Sequence, residues 1–111
     1  MTPQFYAPLV LPTPQTYTKS LLLGKGMTLR DYGCTVKLWD GESHWKPTAR
    51  NKASGAFGIP QALPAEKMAV EGSDWRFNPY TQARWGVRYL VHHWGGKPCV
   101  ALSHQKRFGW Y

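Results

Sequence analysis

Proline is tolerated in a helix only in the first turn, where its missing N–H would have had no partner anyway. In this chain Thr13-Pro14 and Asn78-Pro79 each set a capping side chain before a proline, and each opens a segment with helical apolar spacing. Gly24-Lys25-Gly26 and Gly95-Gly96 stand where those segments should stop. This punctuation predicts a helix over about 14–23 and a longer one from Pro79, with Tyr80, Ala83, Val87, Leu90, Val91 and Trp94 on its apolar face. Between them Thr28, with Asp31 in the first turn, opens a helix that runs to about Ser43, and Pro47 is expected to end it. Pro64 and Pro98 begin two shorter helices, the first closing near Gly72. Residues 1–13 carry Pro3, Pro8 and Pro12 and read as an extended arm. The stretch from Thr48 to Gly58, rich in Asn, Ser, Gly and Ala, follows neither period and reads as a glycine-rich loop or small hairpin. The expected fold is a single mostly α domain over 14–111 with one irregular segment after the second helix.

Composition narrows the partners. Fourteen Lys and Arg against six acids give a formal charge of +8, which favours polyanions: nucleic acid, anionic lipid or a bacterial cell wall. The basic residues form no run and no zinc-finger, RRM-like or KH-like pattern accompanies them, so no nucleic-acid partner is expected. No stretch approaches the ~18 apolar residues of a membrane span. The opening MTPQFYAPLVLPTPQ lacks a basic n-region and its apolar stretch is broken by prolines, so it does not read as a signal peptide. His44, His92, His93 and His104 lack metal-ligand spacing, and no metal or other cofactor is expected. Cys34 and Cys99 fit either one bridge or two buried thiols. Six Trp, six Tyr and four Phe exceed what a core of this size needs, which fits a groove where flat rings stack on sugars.

One carboxylate needs an explanation. Cys34, Leu38 and Glu42 recur at i, i+4 and i+8, so Glu42 continues an apolar stripe instead of facing water. Burial penalises the ionised form, which is how a carboxyl stays protonated near neutral pH and serves as a general acid. Trp39 and Trp45, close by in sequence, supply such an environment.

Two segments hold an ordered string of motifs: LWDGESHWKPTARNKASGAFGIPQALP over 38–64 and GSDWRFNPYTQARWGVRYL over 72–90, followed by GKPC and a closing GWY. From about Gly26 to Tyr111 the chain resembles the transglycosylase SLT and lysozyme-like family of actinobacteria and their phages, including the C-terminal domains of aggregation-promoting factors. The resemblance implies an α+β lysozyme-like fold, with the glycine-rich segment beside an active-site cleft. It implies a glycosidase cleaving the MurNAc–GlcNAc β-1,4 bond of peptidoglycan, with Glu42 as catalytic acid/base. It places Ser54, Gly55, Gly58 and Gln61 in the walls of a sugar-binding groove, with Tyr89 beside it, and puts a cysteine at each of positions 34 and 99. The implied partner is the glycan strand of a bacterial wall, met by a monomer. With no signal peptide read, the wall would be reached through phage lysis machinery, on a virion, or as part of a longer secreted protein. The chain departs from the family at His44, where a glycine is usual after the Glu-Ser pair, and at Met27, Leu102 and Phe108.

A second carboxylate would separate hydrolysis from transglycosylation, because a hydrolase needs a nucleophile or a base for water. The remaining acids are Asp31, Asp40, Glu66, Glu71 and Asp74. Asp40 lies two residues before Glu42, so it points about 200° away on a helix. Asp74 alone falls in a motif, where it reads as part of a turn. The expectation is therefore a lytic transglycosylase with one catalytic carboxyl, a muramidase or a non-catalytic wall-binding module being the alternatives.

Overall fold

The computed structural model describes residues 11–111, so most of the expected N-terminal arm (Met1 to Val10) lies outside the described residues. Four α-helices follow in order: α1 Pro14–Gly24, α2 Leu29–Ser43, α3 Pro79–Trp94 and α4 Pro98–Phe108, with a 3-10 helix Ala65–Val70 between α2 and α3. The fold is mostly helical, as its sequence punctuation predicts. Thr13 accepts a hydrogen bond from the Thr16 N–H, and Asn78 caps α3 by accepting from Tyr80. Thr28 and Asp31 cap each other reciprocally, satisfying two N–H groups that the first turn of α2 would otherwise leave bare.

Helix α2 ends at Ser43, where expected, but Pro47 is not what stops it: His44 takes a left-handed conformation (φ 52°, ψ 36°) and Trp45 follows it there (φ 58°). The short helix expected after Pro64 forms as a 3-10 helix, Ala65–Val70.

Helix α1 packs on α3 and α2 on α4. Leu22, Leu38, Trp39, Ile59, Val87 and Leu90 fill the main core, all 0% or 1% exposed. A disulfide joins Cys34 of α2 to Cys99 of α4, with Cα atoms 5.0 Å apart, settling the alternatives the sequence leaves open. Closing a loop of 65 residues removes unfolded-state entropy worth about 4 kcal/mol in the chain-entropy model. On α3 the buried arc is wider than the predicted apolar stripe. Thr81, Gln82, Trp85 and Gly86 are buried, while Val91 and Trp94 are only half-buried. A Cβ at Gly86 would come within 2.3 Å of the Trp39 ring, so the glycine is what lets α3 lie against that indole.

Residues 48–64 are a succession of turns with isolated antiparallel bridges, Arg50 to Phe57 and Phe57 to Ala62. Two buried side chains pin this segment to the helices. Ser43 donates from Oγ to the Ile59 carbonyl (2.7 Å). Gln82, fully buried, accepts from the Ile59 N–H (2.8 Å) and donates to the carbonyls of Pro47 and Trp75 (2.9 Å each). One amide thus ties three stretches of chain that have no regular pairing of their own, which a water-excluded backbone requires.

Candidate active site

The last turn of α2, the turns from Asn51 to Leu63, one face of α3 and the C-terminal residues enclose a cleft of about 610 Å³. Glu42 stands on its wall, half-buried, and burial raises its carboxyl pKa above the ordinary value of 4.5. A close hydrogen bond donated by Gln105 Nε2 to Glu42 Oε2 opposes that rise without cancelling it. Gln105 also donates to the Leu38 carbonyl (2.9 Å), so its amide is held from two sides against the end of α2. It reaches that position because residue 41 is glycine: a Cβ there would lie 2.8 Å from Gln105 Oε1. Nothing in the sequence patterning singled out Gln105, which lies 63 residues from its partner.

The far wall is aromatic. Trp85, Tyr89 and His93 recur every fourth residue on α3 and stack as a ladder, with centroids 5.3 and 4.8 Å apart and planes within 15°. Tyr89 does two jobs the sequence set as alternatives: it lines the cleft and packs, donating from its hydroxyl to the main-chain oxygen of Tyr111 (2.8 Å). His93 and Trp110 were missed. The same i, i+4, i+8 spacing that marked Glu42 would have found His93; Trp110 carries no such pattern, and it is 60% exposed at the cleft edge. Behind Glu42, the buried Tyr111 hydroxyl accepts from Trp39 Nε1 (3.0 Å) and donates to the Pro60 carbonyl (2.8 Å). Burial, with the Glu42 carboxyl nearby, pushes that phenol well above its ordinary value, so it stays a neutral strut.

The residues assigned to the groove by resemblance are divided by the structure. Ser54 and Gln61 line the cleft with Asn51. Gln61, at φ 56°, spends both amide hydrogens on the carbonyls of Ala49 (3.0 Å) and Gly58 (2.9 Å). With both donors committed, its Oε1 is the atom left to accept from a ligand. Asn51 is the complement: its Oδ1 accepts from the N–H groups of Ala53 and Ser54, which leaves its Nδ2 as a donor. Gly58 is a correction, for it is buried beneath Gln82 and does not line the cleft. A Cβ there would meet Gln82 Oε1 at 2.6 Å, so its role is to admit the amide hub. Gly55 lines a neighbouring groove that shares Ser54 and Leu63 with the cleft.

Glu42 is the only carboxylate on the cleft among the described residues. Asp31 caps α2, and Asp40 faces His44 at 3.4 Å on the exposed side of that helix. His44, two residues from the acid in sequence, therefore faces solvent with Asp40. Glu71 pairs with Arg84 and Arg88 at 3.7 and 3.2 Å. Asp74 accepts from Thr81 (2.7 Å) and Asn78 (2.8 Å), and these bonds hold its pKa below the ordinary value as part of the α3 cap. The cleft's other ionisable groups besides its tyrosines are Lys67 and His93. Among the described residues no His, Cys, Asp or Glu cluster is arranged to hold a metal ion, and no helix is long and apolar enough to cross a membrane.

No protein-family model, curated protein or solved structure matches this chain.

Proposed function

We propose that this domain is a lysozyme-like α+β glycosidase that cleaves the MurNAc–GlcNAc β-1,4 bond of peptidoglycan, acting as a lytic transglycosylase with Glu42 as its single acid and base. The observation that carries this reading is Glu42 itself: a half-buried carboxyl with raised pKa, the one side-chain carboxylate on an aromatic-walled cleft among the described residues. A glycosidic oxygen leaves only when protonated, and a neutral carboxyl at the cleft wall can supply that proton. The exposed ring of Trp110 offers a surface for a pyranose face, and the Trp85, Tyr89 and His93 ladder adds an aromatic wall. Asn51 Nδ2 and Gln61 Oε1 offer a donor and an acceptor, the pair an acetamido group requires.

With no second side-chain carboxylate lining the cleft among the described residues, the reading favours transglycosylation over hydrolysis. Proton transfer from Glu42 breaks the bond between MurNAc C1 and the bridging oxygen, which leaves as a GlcNAc hydroxyl. The electron-poor C1 is first covered by the substrate's own acetamido oxygen. The C6 hydroxyl of the same MurNAc then attacks C1, the acetamido oxygen leaves C1 as the new bond forms, and Glu42, now ionised, takes the hydroxyl proton. Proton and charge balance, no water is consumed, and a 1,6-anhydro ring closes. An internal hydroxyl wins over water because it is already held in place, and effective molarities for such closures are very large.

The parent should clear purified cell walls, and Glu42→Gln should clear them about 10²–10⁴-fold more slowly with its fold intact. A folded Glu42→Gln protein acting at the parental rate would end the assignment. Mass spectrometry reads the chemistry: the expected muropeptides are lighter by one water than hydrolysed ones. Fragments that all carry reducing MurNAc ends would make the protein a muramidase.

A further inference from the structure

A second groove, of about 380 Å³, opens beside the cleft and shares Ser54 and Leu63 with it. Only these two residues form the lip between the grooves, and Leu63 is 52% exposed on it. The chemistry changes across that lip. The cleft carries Glu42, and the second groove carries Arg50 and Arg76 above a floor of Phe57 and Trp75. Those two rings meet edge to face at 5.9 Å, and the Arg76 guanidinium lies over Trp75 at 4.5 Å. That cation–π contact holds the guanidinium against the ring. Neither arginine has a carboxylate within 4.0 Å among the described residues, although Glu66 lines the same groove. Two cations on an aromatic floor, without internal partners, form a receptor for an anionic group of modest size.

Resting on the peptidoglycan reading above, we infer that this groove binds the carboxylates of the stem peptide carried by the MurNAc whose bond is cut. The argument is one of connection. A sugar held over Glu42 carries its stem on the lactyl group, and an extended peptide advances about 3.3–3.6 Å per residue. A few residues then carry it past one side chain such as Leu63. The stem brings free carboxylates, which the arginine forks match, and short aliphatic side chains, which suit the Phe57 and Trp75 floor. The cleft would recognise sugar and the second groove the peptide, so specificity for wall glycan over plain amino-sugar polymers would reside in Arg50 and Arg76.

The test measures binding, apart from turnover. Calorimetric titration of the Glu42→Gln protein should show GlcNAc–MurNAc bearing its stem tetrapeptide binding about five- to tenfold more tightly than the bare disaccharide, as two exposed charge pairs would give. Adding Arg50→Gln and Arg76→Gln should bring that ratio close to one, and Arg50→Gln alone should lower it part of the way. Thermal melts confirm that each variant is folded. Lys106→Gln with Arg107→Gln removes the same charge from α4, outside both grooves, and should leave the ratio unchanged. A ratio near one in the parent background, a ratio that survives loss of both arginines, or one lost equally with the α4 pair would each overturn the inference. Glu42-dependent wall clearing is read separately, so it stands or falls independently of this result.

Discussion

At the scale of single residues, Glu42 is set by two opposed contacts. Burial favours the neutral acid, and the Gln105 amide favours the carboxylate. Because the folded pKa is raised, the associated stability is complete below the ordinary value of 4.5 and is lost as pH rises through the folded value. On the proposed function, activity would follow the same proton: the acid must be protonated, so the descending limb of kcat/KM against pH would report it. Gln105→Met keeps the side chain's length and removes the donor to the carboxylate. The pKa should then rise further and the descending limb move to higher pH, with a smaller maximal rate as Glu42 loses its anchor. Profiles on a soluble glycan oligomer check this; a limb that stays put or moves down would mean that Gln105 only packs. Of this pair the acid was legible from its place on an apolar stripe. Its partner was not, because a contact across 63 residues leaves no local pattern.

At the scale of elements, the helix starts were readable because capping is local chemistry: Thr13, Thr28 and Asn78 each satisfy N–H groups two or three residues away. The end of α2 falls at Ser43 as expected, but its cause was not legible: Pro47 looked like the stop, while His44 and Trp45 turn the chain first. A non-glycine residue in the left-handed region costs about 1 kcal/mol or more, and the resemblance puts glycine at position 44. His44→Gly should therefore stabilise the domain by about 1 kcal/mol, raising the urea midpoint at constant m-value. The Asp40 contact it forfeits is exposed and long at 3.4 Å, and offsets little of that gain. An unchanged or lowered midpoint would show that the His44 ring supports the turn in a way its exposure does not indicate.

For the whole molecule, charge and shape divide the task. On the proposed function, the +8 excess would act at long range and draw the protein to an anionic wall, whereas the cleft would act at contact. Salt separates these contributions, since the screening length falls from about 10 Å at 0.1 M to about 3 Å at 1 M. Sedimentation with purified walls should lose on the order of tenfold in affinity between those conditions. Binding that does not change with salt would assign retention to groove contacts alone. The disulfide also acts at this scale. It clamps α2, which carries Glu42, to α4, which carries Gln105, so the acid and its anchor are held by one covalent tie.

The sequence by itself determined what depends on neighbours along the chain: helix starts from caps and prolines, the mostly α class, and Glu42 as a carboxyl out of place on an apolar stripe. It also held an ordered motif string, without revealing that much of that string is scaffold. Only the tertiary structure decided that Ser43, Gly58, Gln82 and Gly86 hold the turns against the helices, while Trp85, Tyr89, His93 and Trp110 face the cleft. The reason is physical. A cap or a stripe is a relation between residues a few positions apart, whose geometry the helix itself imposes. A buried amide joining Pro47, Ile59 and Trp75, or a glycine admitting an indole, is set by which surfaces meet once the chain has closed.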